Sequence, residues 1–489
     1  MISFKTVGGA IFLCTLLVAT GSSTALAESS STSALMHDEV TLADCIRIAV
    51  KENTTIKNAY LDRIVQKYEL RVAEDKFFPK MTLTSGLQHT NSSASSSQIT
   101  TTNLATSVTE TLPSGASVNL TAQHDFNTTN STGTSRSYGW NASLTQPLLK
   151  GGGFEVTTAS VRTARISEQT NLLMLKSTIM DTLTSVITTY RSYVQAIKAL
   201  EISRQSLERG KELVSINKEL IAAGRMAQID LIQSEADVAN RDFNLLASEN
   251  SVDAARLGLV KILDIDKNRR ITPVENFVIE PIPFELEQAK KLAFEHRPDY
   301  QSALLGLEIS KTNLILAKNN KLWDLSLTGG YGQAYSRDGL PGSNSNIDNW
   351  NTGLRLTIPF WDLTIEQGYL NARIALEKTE LNLSKLKQNI EIEVQDSVRN
   401  AEINLRQVRL AQLSRELSLK KFDIETEKLK VGRSSNFQLV SFQNDLVNAQ
   451  NNELNSIISY LNALTTLERT LGITLDKWGV AIAERKENR

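Results

Sequence analysis

Residues 200–259 read LEISRQSLERGKELVSINKELIAAGRMAQIDLIQSEADVANRDFNLLASENSVDAARLGL, and this stretch decides the fold. Leu200, Leu207, Val214 and Ile221 recur at intervals of seven, the chain turns at Ala222-Ala223-Gly224-Arg225, and Leu231, Val238, Leu245, Val252 and Leu259 resume the interval. A sustained seven-residue apolar repeat keeps one narrow seam facing a partner helix and implies left-handed supercoiling, because 3.5 residues per turn falls short of 3.6. The stretch is therefore a coiled-coil hairpin. Gly224 can take the positive φ that ends the outgoing helix, while Gln228 and Asp230 suit the positive end of the returning helix.

The device occurs twice. Ala222–Asp237 (AAGRMAQIDLIQSEAD) lies over Lys430–Asp445 (KVGRSSNFQLVSFQND) without a gap, pairing Gly224 with Gly432, Arg225 with Arg433, Leu231 with Leu439 and Asp237 with Asp445. In the second copy Val408, Phe422, Leu429, Leu446, Tyr460 and Leu467 keep the seam, whereas Arg415 and Glu453 interrupt it. An internal repeat has to be explained before any single residue.

The 489 residues carry a formal net charge of -1 and 22% charged residues of both signs, interspersed along the chain. Near-neutral charge argues against nucleic acid as a partner, and the mixed pattern suits long solvated helices. Residues 1–27 read as a secretory signal, with Lys5, an apolar run over Val7–Val18 and the small-x-small end Ala25-Leu26-Ala27. Leu13 before Cys14 is too large for the usual lipobox, so Cys45 is left as a structural thiol on the apolar side of a helix. No later run reaches the ~18 apolar residues of a membrane-spanning helix, so any membrane entry is made by strands.

Taken in order, residues 28–40 are expected to be flexible, and a first repeat spans 41–265. Thr41 with Asp44 forms a capping box that opens a helix to about Lys76. Strands follow over about 80–147, where Met81, Leu83 and Leu87 alternate with polar neighbours, as do Ala116–Gln123 and Tyr138–Thr145. Leu104–Leu112 alternates raggedly and carries Glu110 on its apolar side. Pro113-Ser114-Gly115 is a tight turn, and the Ser/Thr/Asn-rich segments near 90–102 and 127–137 read as long loops at the other end. A long helical hairpin covers 155–265, a linker 266–283, and a second repeat 284–474, with one helix from Phe284 to Asn320, strands over about 324–359 and a hairpin over 364–472. Residues 475–489 read as a polar tail. Leu286 answers Leu42 at an offset of 244 and Gly432 answers Gly224 at 208, so the first repeat holds 36 extra residues around its strands. That is one additional hairpin, which gives four strands in the first repeat and two in the second.

Each strand has one apolar face, and aromatics gather at both ends: Phe126, Tyr138, Trp140, Tyr331 and Trp350 at one, Phe77, Phe78, Trp323, Phe360 and Trp361 at the other. Such belts sit at headgroup level in outer-membrane barrels. A soluble sandwich with these aromatics in its core is the competing reading. Six strands do not close a transmembrane barrel, and an open edge in lipid leaves backbone groups unpaired. The protomer is therefore expected to oligomerise; whether the closed barrel has 18 strands or 12 stays open. Arg355, on the polar side of the last strand, is expected in the barrel lumen.

The chain resembles the TolC-like outer-membrane efflux proteins in TLADCIRIAVKENTTIKNA at 41–59, TQPLL at 145–149, the two Gly-Arg turns and HRPDYQSAL at 296–304. The resemblance implies a fold that is mixed and mostly α: a trimeric transmembrane β-barrel continued by a long α-helical coiled-coil periplasmic tunnel. It implies a homotrimer in the outer membrane acting as passive exit duct of a tripartite efflux pump, with a periplasmic adaptor and an inner-membrane transporter as partners. Exit duct of a type I secretion system is an alternative, and a secreted coiled-coil fibre or adhesin a rival of another class. The resemblance puts the gate and the adaptor-docking tips at Gly224, Arg225, Asp230, Gly432, Arg433, Gln438 and Ser441. The family's acidic pore positions fall on Gln438 and Ser441, so a carboxylate ring is not expected. Asp230 matches a family latch acid, with Arg225 or Arg433 as partner; a plain helix-terminal charge is the other reading.

No enzyme chemistry is expected. His37, His89, His124 and His296 are scattered without metal-ligand spacing, Lys150-Gly151-Gly152-Gly153 lacks the order of a phosphate loop, and the carboxylates sit among Lys and Arg on helix faces. Catalytic, cofactor and metal residues are accordingly none.

Overall fold

A computed structural model describes residues 38–92, 97–130, 133–269, 271–274, 277–279, 281, 285–337 and 344–482. The secretory signal, Pro283 of the linker and residues 483–489 lie outside them. The first repeat contains β1 (Asp38–Val40), α1 (Leu42–Glu52), α2 (Thr54–Glu74), β2 (Lys80–Ser92), β3 (Ser97–Thr111), β4 (Ser117–Thr129), β5 (Gly133–Pro147), α3 (Phe154–Thr157), α4 (Ala159–Ala222) and α5 (Gln228–Leu263). After β6 (Ile271–Pro273), the second contains α6 (Leu286–His296), α7 (Pro298–Asn320), β7 (Asp324–Arg337), β8 (Asn344–Thr357), α8 (Leu363–Lys430), α9 (Asn436–Leu471) and α10 (Thr474–Lys477). The strand count of four and two matches the offset argument, with β3 and β4 as the additional hairpin. At 1.5 Å per residue, the 64 residues of α4 and 68 of α8 span roughly 100 Å each.

Several expectations are corrected. The helices read as continuous from Thr41 and from Phe284 are each broken after 11 residues, at Asn53 and at Arg297. Both breaks have extended backbone (ψ 125 and 120): Asn53 caps α2 with its own side chain, and Arg297 precedes Pro298, the first residue of α7, whose ring disfavours a helical residue before it. The Thr/Ser/Asn-rich segments read as long loops are largely strand: β2 and β3 run to Ser92 and from Ser97, β4 and β5 to Thr129 and from Gly133. Beyond a bilayer both faces of a strand are wet, so alternation fades while the β-branched threonines keep the backbone extended. The flexible stretch and the linker supply β1 and β6, a parallel pair too short to show a period. They are held because Tyr190 Oη donates to the Val40 carbonyl at 3.1 Å and Tyr193 Oη to that of Ile271 at 2.8 Å. The tail is not uniformly polar in its setting either, since Leu475, Trp478, Val480 and Ile482 pack against Ile179, Leu183 and Ile187.

The capping box at Thr41 and Asp44 is formed, and Cys45 is fully buried. It packs with Ala49, Tyr190, Leu259, Leu263 and Ile271 at the base of the first hairpin. At the base of the second, Ala289, Ala293, Ile390, Val394, Leu467 and Leu471 form the equivalent cluster. Burying each large side chain there is worth about 1.5–3 kcal/mol, so these two clusters fasten the bases of the hairpins to the short helices α1 and α6.

Candidate functional site

The six long strands form one antiparallel sheet in the order β2-β3-β4-β5-β7-β8, and the two repeats join where Thr145 pairs with Thr328 and Ala142 with Tyr331. Register sets the faces, because directly opposed residues point the same way. One face carries Met81, Val108, Leu120, Ala142, Tyr331 and Trp350 in a single row across all six strands. Met81, Leu120, Tyr331 and Trp350 of this row are open to solvent, Met81 at 71% and Trp350 at 77%, and Val108 and Ala142 are half-buried between them. Glu110 lies on this face at the helix-side end, opposite Val118. The other face is polar, with Thr82, Ser107, Thr121, Asn141 and Asn349 in one row. Asp125 on this face accepts from Asn103 Nδ2 and from Gln123 Nε2, both at 2.7 Å. Arg355, paired with Ser326, is on the polar face as well. On that face a Cβ at Gly139 would come within 2.8 Å of the Gln333 carbonyl oxygen, and one at Gly332 within 2.7 Å of that of Trp140, so only glycine admits the close backbone approach there.

The aromatics fall at both ends of the apolar face. Tyr138 stacks on Tyr335 at 4.7 Å and Trp140 meets Tyr331 edge-on at 5.4 Å. Toward the helices, Trp323 is exposed, and Phe360 and Trp361 sit 6.1 Å apart. Trp361 has φ 58 and is 97% exposed, a strained backbone presenting an indole outward.

At the opposite pole are the hairpin turns. Gly224 and Gly432 have φ 69 and 74. Arg225 N–H bonds to the Leu220 carbonyl and Arg433 N–H to that of Lys428, both at 2.8 Å, so the two turns share one Schellman-type closure. Behind them the packing departs from a simple apolar seam. Apolar layers alternate with polar ones that are also spaced by seven: Ser203 with Ser248 at 2.9 Å, Gly210 with Arg241, and Asn217 with Ser234 at 3.0 Å. Gly210 leaves room for Arg241, whose Cδ would lie 3.0 Å from a Cβ there. Arg241 then bonds Asp237 at 2.6 Å, Ser206, and Asn444 of α9 at 3.0 Å. In the second hairpin the two interruptions of the seam are one layer, with Arg415 Nε donating to Glu453 at 2.9 Å.

The hairpins are tied to each other by polar contacts from α4 and α5 to α9. Asn217 Nδ2, fully buried, reaches Asn436 Oδ1 at 2.9 Å, and Asn436 Nδ2 reaches the Asp230 carbonyl at 3.2 Å. Farther up, Gln195 donates to Asn455 at 2.7 Å and Arg191 to the Leu461 carbonyl at 2.6 Å. Sequence reasoning missed these rungs, although the column Ser203, Gly210, Asn217 was visible at heptad spacing. Asp230 makes no ion pair with Arg225 or Arg433 among the described residues; its side chain caps nothing, and its backbone carbonyl is what the neighbouring hairpin holds. Gln438 and Ser441 are exposed, and the Gln438 N–H is bound by Ser435, the N-cap of α9. Glu425, at the position equivalent to Asn217, is 4% exposed; the Ser434 hydroxyl and then Lys428 hold its pKa below the ordinary carboxylate value. Among the described residues no His/Cys/Asp/Glu group could hold a metal, and no helix is long and apolar enough to cross a membrane.

A profile of the family described as Outer membrane efflux protein matches residues 45–264 and 290–473. The chain belongs to the outer membrane efflux protein family. It is thus an outer-membrane efflux protein and not an enzyme. The two matched segments coincide with the two repeats. Among solved structures, the Campylobacter jejuni CmeC outer membrane channel is 17% identical with a TM-score of 0.66, covering 94% of each chain. The outer membrane protein VceC of Vibrio cholerae is 14% identical with a TM-score of 0.67, covering 88% of this chain and 96% of that one. The open state of the Neisseria gonorrhoeae MtrE outer membrane channel is 14% identical with a TM-score of 0.64, covering 91% and 94%. Identities this low establish a shared fold. No curated protein matches the sequence.

Proposed function

We propose that this efflux protein is the passive exit duct of a tripartite pump, working as a homotrimer with a periplasmic adaptor and an inner-membrane transporter that supplies the energy. The observation that carries the reading is the sheet: β2 and β8 are bonded on one side only, and the apolar face spans all six strands. Unpaired edges cost several kcal/mol per backbone group in lipid, and three copies would offer each edge a partner in an eighteen-stranded closure. Unpartnered helical seams point the same way. Ile229, Ile232, Phe243 and Leu246 lie exposed on α5, and Leu410, Leu417 and Ile424 at heptad spacing on α8, so α5 of one copy would pack on α8 of the next. Residues 1–27 would direct export, and Arg355 would give the lumen a modest local anion preference.

The hairpin tips would form the periplasmic gate and the adaptor-docking end, with Gly224, Arg225, Gly432, Arg433, Gln438 and Ser441 at the rim. Within a protomer the closed arrangement is attributed to the Asn217–Asn436 bridge, and between protomers to Asp230 with an arginine of the adjoining copy. Detergent-extracted protein should migrate as a heat-modifiable trimer and conduct in planar bilayers; a water-soluble monomer without pore activity would sink the duct. Asn217→Ala with Asn436→Ala should raise single-channel conductance several-fold, and Asp230→Ala should do so less. Unchanged conductance in both the double variant and Asp230→Ala would remove the gate while leaving the duct standing.

A further inference from the structure

The apolar face of the sheet ends in an unusual pair. Arg136 on β5 and Arg337 on β7 are register partners, so their side chains start from directly opposed positions on the same face. Like charges so placed repel, and neither arginine forms an ion pair with a carboxylate among the described residues. By register the nearest acid on this face of the adjoining strand is Asp348, two pairs away and opposite Gln333. By register the pair continues the apolar face rather than the polar one.

Its position along the strands is defined. Tyr138 and Tyr335, the stacked pair of the belt, are two residues nearer the helices. The helices leave the sheet from the opposite strand ends, at Lys80, Pro147, Asp324 and Thr357. The arginines therefore sit just beyond the aromatic belt on the side remote from the periplasm, at the headgroup level of the outer leaflet. The Arg136 guanidinium is 5.7 Å from the Phe126 ring centroid, and Phe126 stacks on His124 at 4.7 Å. This holds one of the two cations against the aromatic surface with N–H groups free to point outward.

We propose that Arg136 and Arg337 form a lipid-facing binding site for the phosphate monoester of a phosphorylated glycolipid in the outer leaflet, whose acyl chains lie along Tyr138, Tyr335 and the apolar rows below. A monoester carries about 1.5 to 2 negative charges and three acceptor oxygens, which matches two guanidinium groups better than the single charge of a phosphodiester lipid. Guanidinium forks bind such oxygens in bidentate fashion. The pair lies within one sheet, so the site does not depend on how many copies close the barrel or on which pump the channel serves.

The test uses the detergent-extracted full chain, titrated with diphosphorylated lipid A and read by native mass spectrometry and thermal shift. Wild type should retain lipid A through detergent exchange, and Arg136→Gln/Arg337→Gln should bind it at least tenfold more weakly. Lipid A lacking its phosphates and phosphatidylcholine should bind both forms equally, and phosphatidylglycerol should be the weaker ligand of wild type. Arg355→Gln, on the polar face, should behave as wild type. Equal lipid A binding by wild type and the double variant would overturn the site. Equivalent binding of millimolar inorganic phosphate would overturn the assignment to a lipid. If the double variant does not assemble, each single variant should still lose several-fold affinity, and loss in neither would count as refutation.

Discussion

The bases of the two hairpins carry one backbone design with different side chains. In the first repeat the break at Asn53 is satisfied by its own amide: Nδ2 donates to the Ile262 carbonyl at 2.8 Å and Oδ1 accepts from the Ile56 N–H at 3.1 Å. The returning helix ends at Asp264 with φ 52, and its carboxylate accepts from the Thr54 N–H at 2.7 Å. In the second repeat Arg297 and Gly472 occupy the equivalent positions. Arg297 Nη1 reaches the Thr470 carbonyl at 3.5 Å, where Thr470 is the counterpart of Ile262, while its other N–H groups bind Asp299 and Glu393 at 2.7 Å. Gly472 has φ 79, and a Cβ there would meet the His296 carbonyl carbon at 2.7 Å. The difference teaches that the duplicated unit constrains which backbone groups need a partner, not which side chain supplies it.

The largest expected break in this comparison comes from Gly472→Ala, which combines a left-handed alanine with a backbone clash and should cost on the order of 3 kcal/mol. Asp264→Gly in the other repeat removes strain while losing one hydrogen bond, so its thermal midpoint should move far less. Equal loss at both positions, in scans at one heating rate, would show that the two junctions are not distinct in the way described. Arg297→Ala should come next, at about 1–2 kcal/mol after allowance for the exposure of Asp299 and Glu393. The pH dependence sharpens it. Burial raises the Asp299 pKa, but the Arg297 hydrogen bonds and charge outweigh it and hold it below the ordinary carboxylate value. The stability this contributes is present above the unfolded carboxylate pKa near ~4 and is lost as pH falls through the depressed folded value. Arg297→Ala should therefore flatten the acid side of the midpoint-versus-pH curve, and an unaltered curve would contradict the pairing. The smallest effect concerns the seam. Replacing Arg415 and Glu453 together by leucine, which restores an apolar layer like Leu207 with Leu245, should be neutral or stabilising by up to about 1 kcal/mol. A clear loss would mean that the ion pair holds the second hairpin in register.

The same contrast explains what could be read in advance. The coiled-coil hairpins, their turns at Gly224 and Gly432, and the four-plus-two strand count were legible because each is stated by a local period or by the offset between repeats. Leu207 and Leu259 are buried as the heptad expects, yet Ser206, Gly210, Asn217 and Ser234 are buried as well. Their burial comes from α4 packing on both α5 and α9, and a single-seam reading assumes one partner. The helix breaks at Asn53 and Arg297 did carry local signals, an N-cap asparagine and a proline at position 298, that the unbroken helical reading passed over. What the sequence hides is the partner each break finds more than 170 residues away, at Ile262 and Thr470.

Periodicity, internal repetition and the grouping of aromatics determined by themselves that this chain is a duplicated unit of one-face-apolar strands and a long helical hairpin, since those signals depend only on which residues share a face. The tertiary structure alone decided how the two copies are fastened together. The amide rungs between α4 and α9, the carbonyls held by Asn53 and Arg297, and the opposed arginines beyond the belt all involve groups distant in the chain, whose pairing no local spacing encodes.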